Sequence, residues 1–226
     1  MNYDRIYAWR FRDVDPRAKR AVWTVLARWL SRKLGNAAIV LDPAAGACEF
    51  INAVPSRERW AVDMGTQVRE LAAEGVRASV GRIAEVDLPA AHFEGVFVSN
   101  FLEHLEGPEA CAAFLERMHA LLVPGGRIVV MGPNFRCCPR EYFDFADHVL
   151  VLTEQSAAEQ LYAAGFELLE VHARFLPVTF RGRRVPPPWA IRAYLALPFA
   201  WRFFGKQFLL VAEKPLVSPG PVSRIS

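Results

Sequence analysis

Short apolar runs rich in β-branched residues alternate with amphipathic helical stretches along most of this chain. The successive runs are AAIVLD, RWAVD, RASVGRI, GVFVSN and GGRIVVMG. Gly75 ends one of the helical stretches, and a helix from Pro108 to Leu122 ends at the PGG of residues 124–126. Because strands joined by helical crossovers pair in parallel, this order predicts an α/β fold, with a doubly wound, mainly parallel sheet and helices on both faces.

The two ends of the chain extend this pattern. Asp15 as N-cap and Pro16 in the first turn predict a helix that ends at Gly35. Near the other end, Ser156 and Glu159 have the spacing of a capping box, which predicts a helix start. The runs FELLEVHARF and QFLLVAEKP follow without a comparable helix between them, so we expect two strands that pair antiparallel at one edge of the sheet.

These elements predict one domain over residues 1–226, which is long enough to bury a substantial core. Its expected parts are an N-terminal helical cap (1–35), a Rossmann-like core (36–180 and 205–215) and an aromatic, basic C-terminal insertion (181–204). The four cysteines lack paired metal-ligand spacing, so neither a disulfide nor a metal is expected; they are Cys48, Cys111, Cys137 and Cys138. The charged N-terminus and the lack of a membrane-length apolar run predict a cytoplasmic protein.

Distinctive polar residues follow the predicted strands, where an open α/β sheet binds its ligands. Asp42 closes the first strand and Asp63 the second. A nucleoside site needs a tight turn after the first strand and, about 20 residues later, a carboxylate that accepts hydrogen bonds from the ribose hydroxyls. Asp63 fits that role, although an Asp after a buried strand is also a common helix N-cap.

Four segments resemble the motifs of class I S-adenosylmethionine-dependent methyltransferases. IVLDPAAGACEF resembles their first motif, an acidic residue followed by Gly-x-Gly-x-Gly, WAVDMG resembles the second, and FEGVFVSNFLEHLEG and LLVPGGRIVVMGPN resemble the fourth-strand motif and the helix and strand that follow. The resemblance covers residues 37–135 and implies a Rossmann-like sheet of seven strands with the last one antiparallel. It also implies S-adenosylmethionine as cofactor.

The same resemblance implies a cofactor site. Asp63 would bind the ribose hydroxyls and Met64 would lie beside the adenine. The implied cofactor-binding set is Asp42, Ala44, Gly46, Asp63, Met64, Ile83, Asn100 and Phe101. Arg82 stands where many members carry an Asp near the adenine, so backbone groups around Ile83 are expected to hold that ring.

The first loop departs from the motif, since Ala44 and Cys48 replace two of its glycines. Small side chains preserve close approach of the ligand better than large ones would. Cys48 is either a small gap-filling residue or a nucleophile. Glu49 puts a negative charge in the first turn of the following helix, which disfavours a pyrophosphate and therefore NAD, whereas a sulfonium and an ammonium tolerate carboxylates.

Two regions are candidates for acting on the methyl acceptor. His104, in NFLEHLEG, is one candidate base, although a capping or surface role is open to it. The segment from Pro133 to Thr153 suggests a lid with a His148 base oriented by Asp147, or else an ordered loop whose charges pair with one another. At the N-terminus, Tyr7 or Arg10 could meet the methionine carboxylate.

The expected activity is methyl transfer, most simply O-methylation, to a small or carbohydrate-like acceptor, because the 133–153 segment resembles a bacterial subgroup associated with glycan pathways. A non-catalytic or partner-dependent scaffold that binds the cofactor is the alternative. A nucleic-acid substrate is disfavoured because SNFLEH stands in place of an Asn-Pro-Pro-Tyr type motif and no stacking platform is visible. The aromatic insertion suits either a peripheral membrane contact or a second small core.

Overall fold

The computed structural model describes residues 5, 6, 9, 10, 12–177 and 185–216, whose strands form one seven-stranded sheet. The strands are β1 (Ile39–Asp42), β2 (Glu58–Asp63), β3 (Val76–Val80), β4 (Phe93–Ser99), β5 (Leu122–Pro133), β6 (Glu167–His172) and β7 (Gln207–Glu213). The helices are α1 (Pro16–Lys33), α2 (Glu49–Ala53), α3 (Val68–Leu71), α4 (Pro108–Leu121), α5 (Glu154–Ala163), α6 (Pro188–Ala196) and α7 (Pro198–Phe204). Two short 3₁₀ turns span Leu102–His104 and Tyr142–Asp144.

The strands run in the order β3-β2-β1-β4-β5-β7-β6. Strands β1 to β5 pair in parallel, while β7 is antiparallel to both β5 and β6. The predicted Rossmann-like sheet, its antiparallel last strand and the late antiparallel pair are confirmed. Strand β1 has β2 on one side and β4 on the other, so successive strands are added to the sheet in opposite directions from β1. The loops that follow these strands therefore diverge and leave a crevice at the carboxyl ends, where such sheets bind ligands.

Two apolar layers hold helices against the sheet. On one face, α1 contributes Leu26 and Leu30 to a core that includes residues of α2, α6 and α7. On the other face, α4 and α5 pack over the alternate residues of β4 and β5. Aromatic contacts tie the ends of the chain together, since Trp29 of α1 stacks on Phe175 with ring centroids 5.1 Å apart and meets Trp201 of α7 edge-on at 5.7 Å.

Two predicted element boundaries are wrong. The N-cap of α5 is Thr153, because the Thr153 side chain accepts from the Ser156 N–H while the Ser156 hydroxyl accepts from the Thr153 N–H. Ser156 is therefore the third residue of the helix and not its cap; two hydroxyl residues three apart made both choices compatible with the sequence. Helix α4 spans Pro108–Leu121, within one residue of the prediction, but PGG does not end it, because residues 124–126 lie inside the β5 span.

Helices α1, α6 and α7 lie in the segments predicted to flank the Rossmann-like core. Asp15 caps α1, accepting from the Arg17 N–H at 2.8 Å, and Pro16 occupies its first turn, as predicted. Within the predicted insertion, residues 181–184 lie outside the described residues. No described helix has both the length and the apolar character to cross a membrane.

Candidate functional site

Asp63, at the end of β2, connects the two loops that border the crevice. Its Oδ2 accepts from the N–H of Gly46 at 2.7 Å, and its Oδ1 accepts from the N–H of Gly65 at 2.8 Å. A carboxylate oxygen has two lone pairs, so each oxygen retains one that can accept from a ligand hydroxyl. The structure thus brings together the loop after β1 and the carboxylate of β2, as the Asp42 to Asp63 spacing predicted.

The glycine replacements in the first loop differ in their cost to the backbone. Gly46 has a φ of +51° and Cys48 a φ of +61°, whereas Ala44 is absent from the positive-φ residues of the described chain. A side chain at Ala44 therefore costs no backbone strain. Cys48 is held in the left-handed region, which costs a residue with a Cβ roughly 1–2 kcal/mol.

Cys48 packs as a buried residue and not as a nucleophile. Its side chain is fully buried, and its Sγ lies 3.8 Å from the carbonyl oxygen of Val68. Burial, reinforced by the charges of Asp42, Asp63 and Glu49, raises the pKa of the Cys48 thiol to about 12. A thiol with so high a pKa forms almost no thiolate at neutral pH, which favours the gap-filling interpretation.

Carboxylates dominate the electrostatics of the crevice. Burial raises the pKa of Asp42 to about 8; the N–H of Ala44 opposes this shift, and the charges of Asp63 and Glu49 add to it. Of the carboxylates Asp42, Glu49 and Asp63, only Glu49 forms an ion pair among the described residues, with Lys19 of α1 at 2.5 Å. A crevice of this character stabilises a positively charged ligand and opposes a pyrophosphate.

The remaining cofactor candidates line the neighbouring strand ends. Met64 is exposed, and Ile83 is partly buried against the α4–α5 core. Asn100 has a φ of +48°, and the ring of Phe101 packs on Phe114 with centroids 4.9 Å apart. Arg82 is exposed and reaches Glu85 at 3.9 Å.

A second group of polar side chains lies beyond β4 and β5. Arg10 donates to the buried carboxylate of Asp147 in a close ion pair. Burial acts to raise the pKa of Asp147, but the hydrogen bond from Arg10 and the charges of His104 and Arg10 bring it below its usual value. Asp147 is therefore a carboxylate at neutral pH. Tyr7, the other residue expected at the cofactor, lies outside the described residues.

The position of His104 fixes its tautomer. Its Nδ1 lies 2.8 Å from the carbonyl oxygen of Asp147 and 3.6 Å from Oδ2 of the same residue. Because a carbonyl oxygen only accepts, Nδ1 must carry the hydrogen, and in the neutral ring the lone pair is on Nε2. The side chain of His104 is 18% exposed. This arrangement is that of a general base oriented by the group behind it.

The predicted pairing of Asp147 with His148 is replaced by a pairing of Asp147 with His104. His148 instead stacks on Phe145, with ring centroids 4.6 Å apart and an 11° angle between the planes. Burial, followed by the charge of His104, lowers the pKa of His148 to about 4, so the ring is neutral at pH 7. Asp147 and His148 are adjacent in a loop, where neighbouring side chains can point in different directions. The sequence therefore could not show whether Asp147 pairs with His148 or with His104.

Glu103 is a site residue that sequence reasoning missed. Its carbonyl oxygen accepts from the N–H groups of Val149 and Leu150 and so anchors the 133–153 segment. Burial raises the pKa of its carboxyl to about 7, and Oε1 has no hydrogen-bond partner among the described residues. In the sequence, the only indication that Glu103 belongs to the site was its position next to His104 in NFLEHLEG.

Glu103 and the two histidines could hold a metal ion. The spacing of the cysteines gave no reason to expect a metal site. Glu103, His104 and His148 each offer one ligand atom, and these atoms lie within 4.8 Å of one another. The Nε2 of His148 lies 3.9 Å from Oε1 of Glu103. Two nitrogens and one carboxylate oxygen suit a divalent transition metal.

A cavity of about 440 Å³ opens beside Arg10. Its lining residues are Arg5, Ile6, Trp9, Arg10, Asp144 and Ala146. Arg10 lines the cavity and also pairs with Asp147, and Asp147 in turn lies beside His104, so Arg10 and Asp147 connect the cavity to His104.

Comparison with known proteins covers both sequence and fold. Residues 27–130 match the family model of a methyltransferase domain, and no curated protein matches the chain. Among solved structures, a SAM-dependent methyltransferase from Archaeoglobus fulgidus is 17% identical with a TM-score of 0.67, over 94% of this chain and 100% of that one.

Two other solved structures contain bound ligands. The 1,6-didemethyltoxoflavin-N1-methyltransferase of Burkholderia thailandensis, with 1,6-didemethyltoxoflavin and S-adenosylhomocysteine, is 25% identical with a TM-score of 0.58, over 94% of this chain and 86% of that one. The N-methyltransferase NodS of Bradyrhizobium japonicum, in complex with S-adenosylhomocysteine, is 15% identical with a TM-score of 0.60, over 92% and 91% of the two chains. These likenesses concern the fold.

Proposed function

We propose that this chain, a class I S-adenosylmethionine-dependent methyltransferase, transfers the methyl group to a hydroxyl of a small or carbohydrate-like acceptor. The observation that carries the choice of a hydroxyl is the tautomer of His104, whose Nδ1 donates to the carbonyl of Asp147. An alcohol becomes a good nucleophile only as its proton leaves, so O-methylation needs a base of this kind.

The cofactor is proposed to bind in the acidic crevice. Asp63 would accept from the ribose hydroxyls, with Met64 and backbone near Ile83 on the adenine. The backbone of Ala44 and Gly46 would face the methionine portion, with Asn100 and Phe101 at the fourth strand. Asp42 would neutralise the ammonium, which favours the ionised carboxylate and brings its raised pKa down on binding.

The acceptor is proposed to occupy the cavity beside Arg10, with its hydroxyl toward His104. The cofactor would supply an electrophilic methyl group, whose carbon–sulfur bond would break with its electron pair left on a neutral thioether sulfur. His104 would take the hydroxyl proton on Nε2 as the acceptor oxygen bonds to the methyl carbon. Asp147 holds the ring and stabilises the imidazolium that forms, while neutral His148 packs behind it.

Two measurements test this proposal. Calorimetry should detect binding of S-adenosylmethionine and S-adenosylhomocysteine, and lack of binding would refute the cofactor assignment. Radiolabel from the methyl group should pass to hydroxylated small molecules, and His104→Gln should lower kcat by roughly 10²- to 10⁴-fold with cofactor affinity retained. Equal loss of both kcat and cofactor affinity would instead make His104 a structural residue.

Two observations favour alternatives that the same assays separate. Two of the similar structures are N-methyltransferases, and an amine acceptor would show little dependence on His104 at a pH where the amine is unprotonated. The three ligand atoms of Glu103, His104 and His148 favour a bound divalent cation, and activity lost with EDTA and restored by metal would assign that role. Tight cofactor binding without methyl transfer to any acceptor would favour the alternative of a non-catalytic, cofactor-binding scaffold.

A further inference from the structure

The outer surface of α6 and α7 carries a concentration of large apolar side chains. Of the fifteen large hydrophobic residues that are exposed in the described chain, five lie between residues 189 and 204; they are Trp189, Leu197, Phe199, Phe203 and Phe204. Trp189 and Phe199 are 71% and 75% exposed. Monomeric proteins rarely expose so many aromatic residues in one place without a binding role.

The core does not require these side chains. The inner surface of the same helices already fills the space over α1 with Ile191, Leu195 and Trp201. The Trp201 indole also has its hydrogen bond, to the carbonyl of Tyr194 at 2.9 Å. These residues extend the core on the α1 face of the sheet and do not form a separate second core, and the outer aromatic residues stay exposed. Phe199 and Phe203 meet only edge to face, with centroids 5.0 Å apart.

The sequence of this region is basic, although Lys206 pairs with Glu141. From Val171 to Ala212 the sequence contains seven basic residues and no Asp or Glu; the basic residues are Arg174, Arg181, Arg183, Arg184, Arg192, Arg202 and Lys206. Arg192 and Arg202 are exposed on the two helices themselves. The stretch 16–41 has the same character, with six basic residues and no Asp or Glu, whereas the net charge of the whole chain is only +3.

We propose that α6 and α7 form a membrane-docking surface that lies on an anionic lipid bilayer, with the aromatic side chains in the interfacial region and the arginines against the lipid headgroups. Trp and Phe on one side of short helices, flanked by basic residues, are the composition of segments that lie in the plane of the interface. Helices of nine and seven residues are too short to span a bilayer but long enough to lie on one.

Charge complementarity selects the lipid over a second copy of the chain. A two-fold dimer through this surface would place Arg192 and Arg202 opposite the same arginines of the second copy, and neither α6 nor α7 carries an acidic residue. An anionic leaflet attracts each basic residue near it by about 1 kcal/mol. Lipid therefore satisfies both the apolar and the charged components.

Sedimentation of the full-length protein with vesicles tests the proposal. We expect binding to phosphatidylcholine vesicles that contain phosphatidylglycerol, and much weaker binding to phosphatidylcholine alone or at high salt. Phe199→Ser with Phe203→Ser should abolish sedimentation. Arg192→Gln with Arg202→Gln should weaken it by roughly fivefold per residue. The matched control is Tyr162→Ser with Leu169→Ser, which removes two exposed apolar residues from α5 and β6 and should have no effect.

Folding and oligomeric state are followed in parallel. Binding of S-adenosylhomocysteine and the thermal unfolding midpoint should be unchanged in every variant, so that loss of vesicle binding is separated from misfolding. The proposal is overturned if the phenylalanine variant sediments like the wild type, or if wild-type protein ignores anionic vesicles. It is equally overturned if ultracentrifugation shows a dimer that the phenylalanine variant alone dissociates, since a second copy then covers the surface.

Discussion

The crevice proposed for the cofactor and the histidine cluster neutralise their carboxylates in opposite ways. The histidine cluster is the group of His104 and His148 with Arg10, Glu103 and Asp147. In the crevice, Asp42 and Asp63 accept hydrogen bonds from backbone N–H groups, and burial, with the charges of Asp63 and Glu49 added to it, raises the pKa of Asp42. In the cluster, Asp147 receives the guanidinium of Arg10, which lies 137 residues away in sequence. The crevice is therefore suited to a cation that arrives with the ligand, whereas the cluster contains its own cation and remains set for proton transfer.

Removing the internal cation should have the largest effect on stability. Arg10→Gln leaves the buried carboxylate of Asp147 without its charged donor, and breaking a buried pair in this way costs about 3–5 kcal/mol. Urea unfolding at neutral pH should report that loss.

The pH dependence of the same variant sharpens the test. With Arg10 present, the lowered pKa of Asp147 contributes stability above the ordinary pKa of an Asp, and this contribution is lost as the pH falls through the folded value. Without Arg10, burial dominates and protonation relieves the penalty, so the defect should shrink in acid. A double variant with Asp147→Asn should recover part of the loss at neutral pH; an equal defect at every pH would contradict the assignment.

Removing Asp63 should have the largest effect on cofactor binding. Asp63→Ala deletes the acceptor of the Gly46 and Gly65 N–H groups as well as the proposed ribose contact. Two or more hydrogen bonds to a charged group correspond to roughly a 10²-fold loss of affinity. Calorimetry with S-adenosylhomocysteine measures it, and Glu116→Ala, an exposed carboxylate on α4, should bind like the wild type. A loss below about threefold would remove Asp63 from the binding site.

The two regions also differ in how far the sequence could predict them. The crevice depends on Asp42, Gly46 and Asp63, whose spacing along two adjacent parallel strands fixes their proximity, so the turn and the carboxylate were predictable. The cluster depends on Arg10 and Asp147, which meet only because the N-terminal segment folds over the loop after β5. No local pattern encodes that contact, nor which of His104 and His148 receives Asp147.

Raising the pH should destabilise the cofactor-free protein through Asp42. Its folded pKa is about 8 against an ordinary 3.8, so the native state keeps a proton that the unfolded chain has lost. This stabilisation is complete below the unfolded value and is lost as the pH rises from about 4 to about 8. Asp42→Asn should flatten that part of the profile in thermal unfolding and weaken binding of the cationic cofactor. If the wild-type profile is already flat there, Asp42 is ionised in the native state and the crevice is less desolvated than its burial indicates.

The smallest expected effect concerns the missing glycines. Ala44 does not have a positive φ, so Ala44→Gly gains no backbone relief and adds freedom to the unfolded chain. We expect it to leave cofactor affinity within about twofold and to lower stability by about 0.5–1 kcal/mol. Gly46→Ala is the paired variant, because a Cβ there meets no atom within 4 Å yet must adopt a φ of +51°. It should cost about 1–2 kcal/mol of stability, and ligand addition should recover none of it. If Ala44→Gly instead raised cofactor affinity tenfold, the alanine would be a defect in the loop. That result would favour the non-catalytic scaffold, which the backbone geometry of the loop does not support.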